Sequence, residues 1–370
     1  MASTHDTTAE LELPGLDVRA LAKRAAPAAA VAALIAVAIV VAGGPMRAFA
    51  HAFERALHAD PRWVIAAIVF ELATFGGYVA LLWLVGRRAS DRLGFRASLQ
   101  ITLGGAAATR LLPTAGVGGA ALTMWALRRA GLGTRDAGRT LFAFLVVLYA
   151  VFLISIATAG TLLALGVAHG DGPLALEAIP AAGAILAIAA ALALGAFAHD
   201  KEPKAGASRL RTRLTDTGAV LGAGVRDAVA IVRSADPRLL GAVAWWTFDA
   251  AVLWAMLNAF GAAPAFPVLV LAYFVGQVGN TIPIPGAVSG GIVGLLAAFG
   301  VAPEVALVSV LAYRAVAIWL PAPIGLVGLS GLRKTIARWE REDAPAPAPV
   351  VAMPARPRAE RFARPERVAA

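Results

Sequence analysis

Six stretches of the chain combine the length of a membrane-crossing helix with an almost continuous apolar composition. A helix crosses the hydrocarbon layer of a bilayer with about 20 residues, within a range of roughly 17–25. The six stretches lie near residues 27–43, 63–86, 139–166, 174–198, 239–260 and 303–329. They predict an all-α integral membrane protein with about six transmembrane helices.

Two further apolar segments, residues 97–127 and 266–300, are interrupted in the middle, the first at Pro113 and the second at Pro285. Because proline removes a backbone donor and the neighbouring glycines lower helix propensity, a helix cannot continue smoothly through either point. Broken backbone at membrane depth has to be buried in protein or line a wet cavity. We therefore predict two re-entrant broken-helix hairpins. The alternative is that each segment forms two ordinary short spans.

The distribution of Arg and Lys predicts the orientation of these elements. Basic residues flank the spans on one side, whereas the connections 167–173 and 261–267 carry none. Both termini are then cytoplasmic, the first hairpin enters from the inside, and the second enters from the outside. The halves 63–166 and 239–329 would form an inverted repeat. The connection 44–62 carries three arginines on the outer side and is interpreted as an interfacial helix.

The domain organisation follows from the same pattern. Residues 1–26 are predicted to be a cytoplasmic N-terminal segment, and residues 27–334 a polytopic membrane domain. Within this domain, residues 199–238 alternate charges with apolar residues at helical spacing and are predicted to form a cytoplasmic amphipathic insertion. Residues 335–370 are rich in Pro, Ala and Arg without apolar periodicity, so we expect a disordered basic tail.

Composition narrows the class of protein. The 370 residues are 59% hydrophobic and only 15% charged, with a mean hydropathy of +0.74, whereas a soluble domain is roughly half apolar and a quarter charged. The net charge of +10 lies mostly beside the spans, which points to the cytoplasmic membrane rather than to nucleic acid. The chain has no cysteine, its histidines lack metal-ligand spacing, and it has no phosphate-binding loop for ATP. We therefore expect no metal and no cofactor.

A few charged and polar residues remain in the apolar segments, where each charge costs roughly 2.5–3.5 kcal/mol at the centre of a span. Glu71 and Asp249 occupy similar depths in the first spans of the two halves. They either pair structurally with arginines or act in function. Arg314 and Arg110 are candidates for binding phosphate, because a guanidinium matches phosphate geometry and nearby helix N-termini favour anions. The predicted headgroup-binding residues are Arg314, Arg110, Pro285, Gly286, Ser289, Asn280, Gln277, Pro113 and Gly116, with Asp249 and Glu71 as intramembrane acidic partners.

Residues 283–301 and 310–321, together with residues 111–129, resemble the membrane domain of the lysylphosphatidylglycerol synthase/flippase family and its stand-alone, flippase-like relatives. The family usually carries Pro-Gly-Gly followed by an acidic residue, whereas this chain has Ala287 and Ser289 there. The resemblance implies lipid handling or translocation. We expect no soluble aminoacyl-transferase domain after the last span, which argues against lipid aminoacylation.

The leading hypothesis is therefore a flippase-like protein that binds and translocates an anionic or glycosylated lipid, and that is not an enzyme. Two alternatives stay open. One is a membrane-embedded transferase acting on a lipid-linked substrate, with Asp249 or Glu71 as base. The other is a non-transporting scaffold whose partner is a lipid-modifying enzyme.

Overall fold

The computed structural model describes residues 59–111, 117–170, 172–198, 209–281, 284 and 286–344, with backbone only at residues 110, 111, 117 and 209–214. All regular structure in these residues is helical. Eleven α-helices follow one another in chain order. They are α1 (Pro61–Ala89), α2 (Phe95–Leu111), α3 (Val117–Arg129), α4 (Thr134–Ala164), α5 (Leu174–Phe197), α6 (Arg209–Arg233), α7 (Leu240–Ala259), α8 (Phe266–Gln277), α9 (Ala287–Ala298), α10 (Pro303–Trp319) and α11 (Pro321–Asp343).

Five helical stretches in the described residues are long and apolar enough to cross a membrane, which confirms a multi-pass all-helical membrane protein. They correspond to the predicted spans that begin at residues 63, 139, 174, 239 and 303. The remaining predicted span, 27–43, lies outside the described residues, as do the predicted segment 1–26 and residues 345–370. The five stretches are Pro61–Ala89, Thr134–Ala164, Leu174–Phe197, Pro237–Ala259 and Pro303–Asp343.

The last stretch consists of two helices, since α10 ends at Trp319 and α11 begins at Pro321. A proline is tolerated in the first turn of a helix, where its missing N–H would have no partner anyway. The helix α11 continues to Asp343, so it includes residues 335–343, which the sequence analysis had assigned to a disordered tail. An ion pair with Arg92 holds its end, and the hydrogen bonds from Arg92 lower the pKa of the Asp343 carboxyl.

The helices α1 and α7 cross at a pair of glycines. A Cβ atom added to Gly77 would lie 2.7 Å from the carbonyl oxygen of Gly241, and one added to Gly241 would lie 2.3 Å from that of Gly77. The helices α2 and α11 approach each other in a similar way, through Gly325 and Gly328 against Leu103. Small residues at such crossings allow backbones to pack closely, which is how helices associate where lipid removes the hydrophobic driving force.

The two interrupted segments each form a pair of short packed helices, α2 with α3 and α8 with α9. Glycines lie where the helices of each pair approach most closely. A Cβ added to Gly119 would lie 3.1 Å from the Gly105 carbonyl oxygen, and one added to Gly291 would lie 3.2 Å from the Gly276 Cα. The pair α8–α9 rests on α4 and α10, while α2 rests on α1 and α11.

The predicted amphipathic insertion contains a single long helix in its described part, α6. It packs against α4 and α5, with Val225 and Ile231 buried. Arg139 at the start of α4 forms an ion pair with Asp227, in which Nη2 donates to Oδ1 at 2.6 Å. The insertion is therefore packed onto the helix bundle.

Because α1 and α7 cross at glycines, adding a single methyl group at this crossing should lower the stability of the fold. In Gly77→Ala the added Cβ would meet the Gly241 carbonyl oxygen and the Trp245 amide nitrogen, both at 2.7 Å, so the helices must separate. Overpacking of this kind costs about 1–3 kcal/mol. We expect a lower midpoint of thermal unfolding in detergent.

Gly76→Ala is the matched control, because a Cβ on the neighbouring residue has nothing within 4 Å. Alanine is favoured over glycine in a helix by about 1 kcal/mol, so the control midpoint should be unchanged or slightly raised. Equal midpoints for the two variants would contradict the close crossing.

Candidate functional site

Asp249 is a carboxylate held inside the helix bundle. It lies within α7 and is only 9% exposed, although α7 is apolar enough to cross a membrane. A charge in such a place is expensive unless hydrogen-bond donors compensate it. The environment of Asp249 therefore has to supply donors.

Two tyrosine hydroxyls supply these donors. Tyr273 of α8 donates to Asp249 Oδ2, and Tyr313 of α10 donates to the same oxygen at 3.0 Å. Both tyrosines are almost completely buried. Hydrogen bonds to an ionised group are the stronger ones. The carboxylate therefore connects three helices, α7, α8 and α10.

Two amide side chains extend this cluster to the interruption between α8 and α9. Gln277 Nε2 donates to the Tyr313 hydroxyl at 3.0 Å and lies 3.4 Å from Asp249 Oδ2. Asn280 Nδ2 donates to Gln277 Oε1 at 2.7 Å. Asn280 is exposed, and it lies in the short 3-10 helix Val278–Thr281 that follows α8. We call Asp249, Tyr273, Gln277, Asn280 and Tyr313 the carboxylate network.

Helical spacing explains how α8 contributes three members of the network. Tyr273 and Gln277 are four residues apart and so share one face of α8, and Asn280 follows within the next turn. That face is directed at α7 and α10. Consequently, hydrogen bonds connect the residues at the interruption after Gln277 with the buried carboxylate of Asp249.

An aromatic cluster closes the network on the side of α4. The indole of Trp246, one turn before Asp249, donates from Nε1 to the Leu148 carbonyl oxygen at 2.7 Å. Its ring contacts those of Phe152, Tyr273 and Phe274. The cluster excludes water and strengthens each polar interaction inside it.

Glu71 and Arg314 lie next to the network. Antiparallel packing of α1 on α7 stacks Phe70 on Phe248, which brings Glu71 to the level of Asp249. Glu71 is completely buried. Arg314 directly follows Tyr313 on α10. The packing of α1 on α7 thus places the two carboxylates at a similar depth.

Arg314 differs from the acidic residues in its contacts. It is half-buried on α10 and makes no hydrogen bond or ion pair with any described residue. Among the described contacts of Asp249 are the tyrosine and glutamine donors, and an ion pair with Arg314 is not among them.

The other predicted site residues fall into two groups. Gly286 and Ser289 lie at the start of α9, where Gly286 is the N-cap with a φ of 84° that favours glycine, and Ser289 is half-buried in the first turn. The side chain of Arg110 lies outside the described residues. Pro113, Gly116 and Pro285 lie outside them as well.

Sequence reasoning missed the two tyrosines as site residues. Tyrosine is common near membrane interfaces, so a single tyrosine in an apolar run carries little information. A usable signal was the four-residue spacing of Tyr273 from Gln277. Tyr149, at a comparable place in α4, is 47% exposed and does not belong to the network.

A lateral cavity of about 620 Å³ opens beside the network, between α4, α7 and α8. Its wall includes Ala250 and Phe274, the residues that follow Asp249 and Tyr273. Most of the remaining wall is apolar, with a few hydroxyl groups. The volume falls in the range of roughly 300–1,000 Å³ typical of small-molecule sites. Other lining residues are Ile154, Ser155, Thr158, Thr247, Trp254 and Phe266.

Oδ2 of Asp249 already accepts from two hydroxyls, and hydrogen bonds to the charged form of a carboxylate lower its strength as a general base. The described residues contain no group of three or more His, Asp or Glu side chains that could hold a metal ion.

Comparison with known proteins identifies a protein family that the chain matches. Residues 25–325 match the model of the family described as "Lysylphosphatidylglycerol synthase TM region". The match spans more than half of the chain and includes every member of the carboxylate network. No curated protein matches the chain.

The network predicts energetic coupling between helices. Tyr273→Phe and Tyr313→Phe each remove one donor to Asp249. Since a hydrogen bond to a charged group contributes about 1.5–3 kcal/mol, each variant should lower the thermal midpoint in detergent. Tyr149→Phe, which removes the hydroxyl of a half-exposed tyrosine outside the network and keeps its ring, should leave the midpoint unchanged.

A double-mutant cycle tests whether the loss acts through the carboxylate. In an Asp249→Asn background the two tyrosine substitutions should have much smaller effects, because the charged acceptor is already absent. Additive effects of Asp249→Asn and Tyr313→Phe would contradict the network.

Proposed function

The chain belongs to the family of the lysylphosphatidylglycerol synthase transmembrane region, and we propose that it is a flippase-like protein that binds and translocates an anionic or glycosylated lipid. The observation that carries this proposal is the carboxylate network, whose hydrogen bonds connect the interruption after α8 with the buried charge of Asp249. Interrupted helices at membrane depth are characteristic of transport sites.

In the proposed topology, six spans and two re-entrant hairpins lie in the cytoplasmic membrane, with both termini inside. The hairpins α2–α3 and α8–α9 enter from opposite sides, and the two halves form an inverted repeat. Three packing relations support this arrangement. The first helices of the halves, α1 and α7, cross each other, α8 rests on α4, and α2 rests on α11.

The lipid headgroup would bind at Arg314, next to the Tyr313 hydroxyl and the interruption near Asn280. A half-buried guanidinium on a membrane-crossing helix needs an anionic partner, and a phosphate accepts its hydrogen bonds in a bidentate way. One acyl chain would occupy the lateral cavity between α4, α7 and α8, whose wall is largely apolar. The headgroup would then lie within the bundle while the chains stay in the bilayer.

The alternative of an embedded transferase with Asp249 as base is less well supported, since the tyrosine and glutamine donors engage its carboxylate. A scaffold for a lipid-modifying enzyme stays an alternative. The measurement that separates scaffold from transporter is lipid movement in vesicles that contain only this protein.

Arg314→Lys tests the headgroup site. The variant keeps the charge but loses the planar fork. We expect a folded protein that moves fluorescent phosphatidylglycerol between leaflets of reconstituted vesicles at a rate lower by roughly ten-fold, the equivalent of one charge-assisted hydrogen bond. Arg333→Lys, an exposed arginine on α11, is the matched control and should retain the rate.

Arg314→Gln combined with Asp249→Asn separates phosphate binding from ion pairing. The network already gives Asp249 its donors, so the double variant should stay inactive. Recovery of full transport in this variant would overturn the proposed phosphate site.

Labelling of single cysteines tests the topology, because the chain has no cysteine of its own. Ala115→Cys should react with a membrane-impermeant reagent from the cytoplasmic side, and Ala287→Cys from the outside. Reaction of both from one side would exclude the inverted repeat.

A further inference from the structure

A second groove lies between α5 and α6, which contribute no residue to the carboxylate network. Its volume is about 780 Å³. One wall is apolar and belongs mainly to α5, while basic and polar side chains of α6 and the residue after it line the other. The residues that matter for binding are Leu192, Ala196, Arg226, Val229, Arg233 and Ser234.

Close contact of the two helices forms the end of this groove. A Cβ added to Gly195 would lie 2.7 Å from Val225 Cγ1, and one added to Gly222 would lie 2.7 Å from the Ala198 carbonyl oxygen. The helices are therefore in backbone contact at the end of α5. The groove lies next to this contact, since Gly195 and Val225 also line it.

Arg226 is fixed at the groove by the end of α5. Its Nη1 atom donates to the Gly195 and Ala198 carbonyl oxygens at 3.0 Å and 2.8 Å. These carbonyls belong to the C-terminal turn of a helix, which favours a positive charge. Both bonds use one amino group, so the rest of the guanidinium keeps its donors. The guanidinium of Arg226 is thus held in position at the groove before any ligand binds.

Two more guanidinium groups lie close by. Arg233 lines the groove, is exposed, and makes no hydrogen bond or ion pair with a described residue. Arg88 donates from Nη2 to Ser234 Oγ at 2.8 Å. None of the lining residues is acidic, and the neighbouring Asp227 is engaged by Arg139. The groove therefore has a net positive charge.

The apolar wall continues onto the lipid-facing surface of the protein. α5 is one of the candidate spans, and its apolar side chains are widely exposed, with Leu186 at 69%, Leu192 at 54% and Phe197 at 79%. On a helix apolar enough to cross a membrane, such side chains are suited to contact acyl chains. The Arg226 guanidinium thus lies at the C-terminal end of a candidate span.

We propose that the α5–α6 groove binds one anionic phospholipid of the surrounding leaflet, with its phosphate between Arg226 and Arg233 and an acyl chain along Leu192 and Val229. Basic pockets between membrane helices bind acidic headgroups in this way, and charge-assisted hydrogen bonds from two guanidinium groups suit a phosphodiester. This lipid holds α6 against α5 and is separate from the transported lipid.

Native mass spectrometry of the detergent-purified protein, titrated with phosphatidylglycerol or phosphatidylcholine, tests the site. We expect phosphatidylglycerol to be retained preferentially. Arg233→Gln should weaken its retention by roughly ten-fold, as loss of a charge-assisted hydrogen bond predicts. Arg128→Gln, which removes an equal charge from the exposed end of α3, should have no effect. The loss should occur equally in an Arg314→Lys background, which separates this groove from the proposed headgroup site.

The apolar wall is tested with a second matched pair. Leu192→Ser should weaken phosphatidylglycerol retention, whereas Leu186→Ser, at a still more exposed position on α5 outside the groove, should not. Inorganic phosphate should fail to displace the lipid. The proposal is overturned if phosphatidylcholine is retained as well as phosphatidylglycerol, or if inorganic phosphate displaces the lipid. It is also overturned if Arg128→Gln weakens retention as much as Arg233→Gln, or Leu186→Ser as much as Leu192→Ser, while all four variants keep the wild-type thermal midpoint.

Discussion

The buried Asp249 carboxylate is the constraint around which the second half of the molecule is organised. A carboxylate in a membrane span has to find donors within the protein, because lipid offers none. Tyr273 and Tyr313 provide them from two other helices. Any movement of α8 or α10 away from α7 would remove a donor from this charge, so the hydrogen bonds oppose separation of the three helices.

Glycine contacts make that arrangement sterically possible. The donors reach Asp249 only if short helices lie deep inside the bundle, and this depth requires close backbone approach. Gly276 and Gly291 supply it between α8 and α9, and Gly77 and Gly241 between α1 and α7. The glycine contacts and the hydrogen bonds to Asp249 therefore depend on each other. Without the close packing the buried charge would lose hydrogen-bond donors, which costs free energy of folding.

The sequence predicts the parts of this fold that follow from local chemistry. Apolar length located the spans, and Asp249, Glu71 and Gln277 were found because polar groups are rare in such runs. Gly119 lies six residues after Pro113, and Gly291 lies six residues after Pro285. The two interrupted segments therefore share one spacing of proline and glycine. The tyrosine donors and the extension of α11 past residue 334 were missed for a different reason. They depend on contacts between distant segments, such as Arg92 with Asp343, that no local pattern records.

The network also connects the interior of the bundle with its accessible surface. Asn280 is exposed at the interruption, and its side-chain amide donates a hydrogen bond to Gln277. Gln277 in turn donates to the Tyr313 hydroxyl, which donates to Asp249. A ligand that displaces Asn280 has to break or replace a hydrogen bond in this chain. Because hydrogen bonds in a low-dielectric interior polarise one another, the change would alter how firmly Tyr313 holds Asp249, and Arg314 follows Tyr313 directly on α10. Binding at the interruption would thus have a physical route to the packing of α7, α8 and α10, and the lipid translocation that we propose requires such a route.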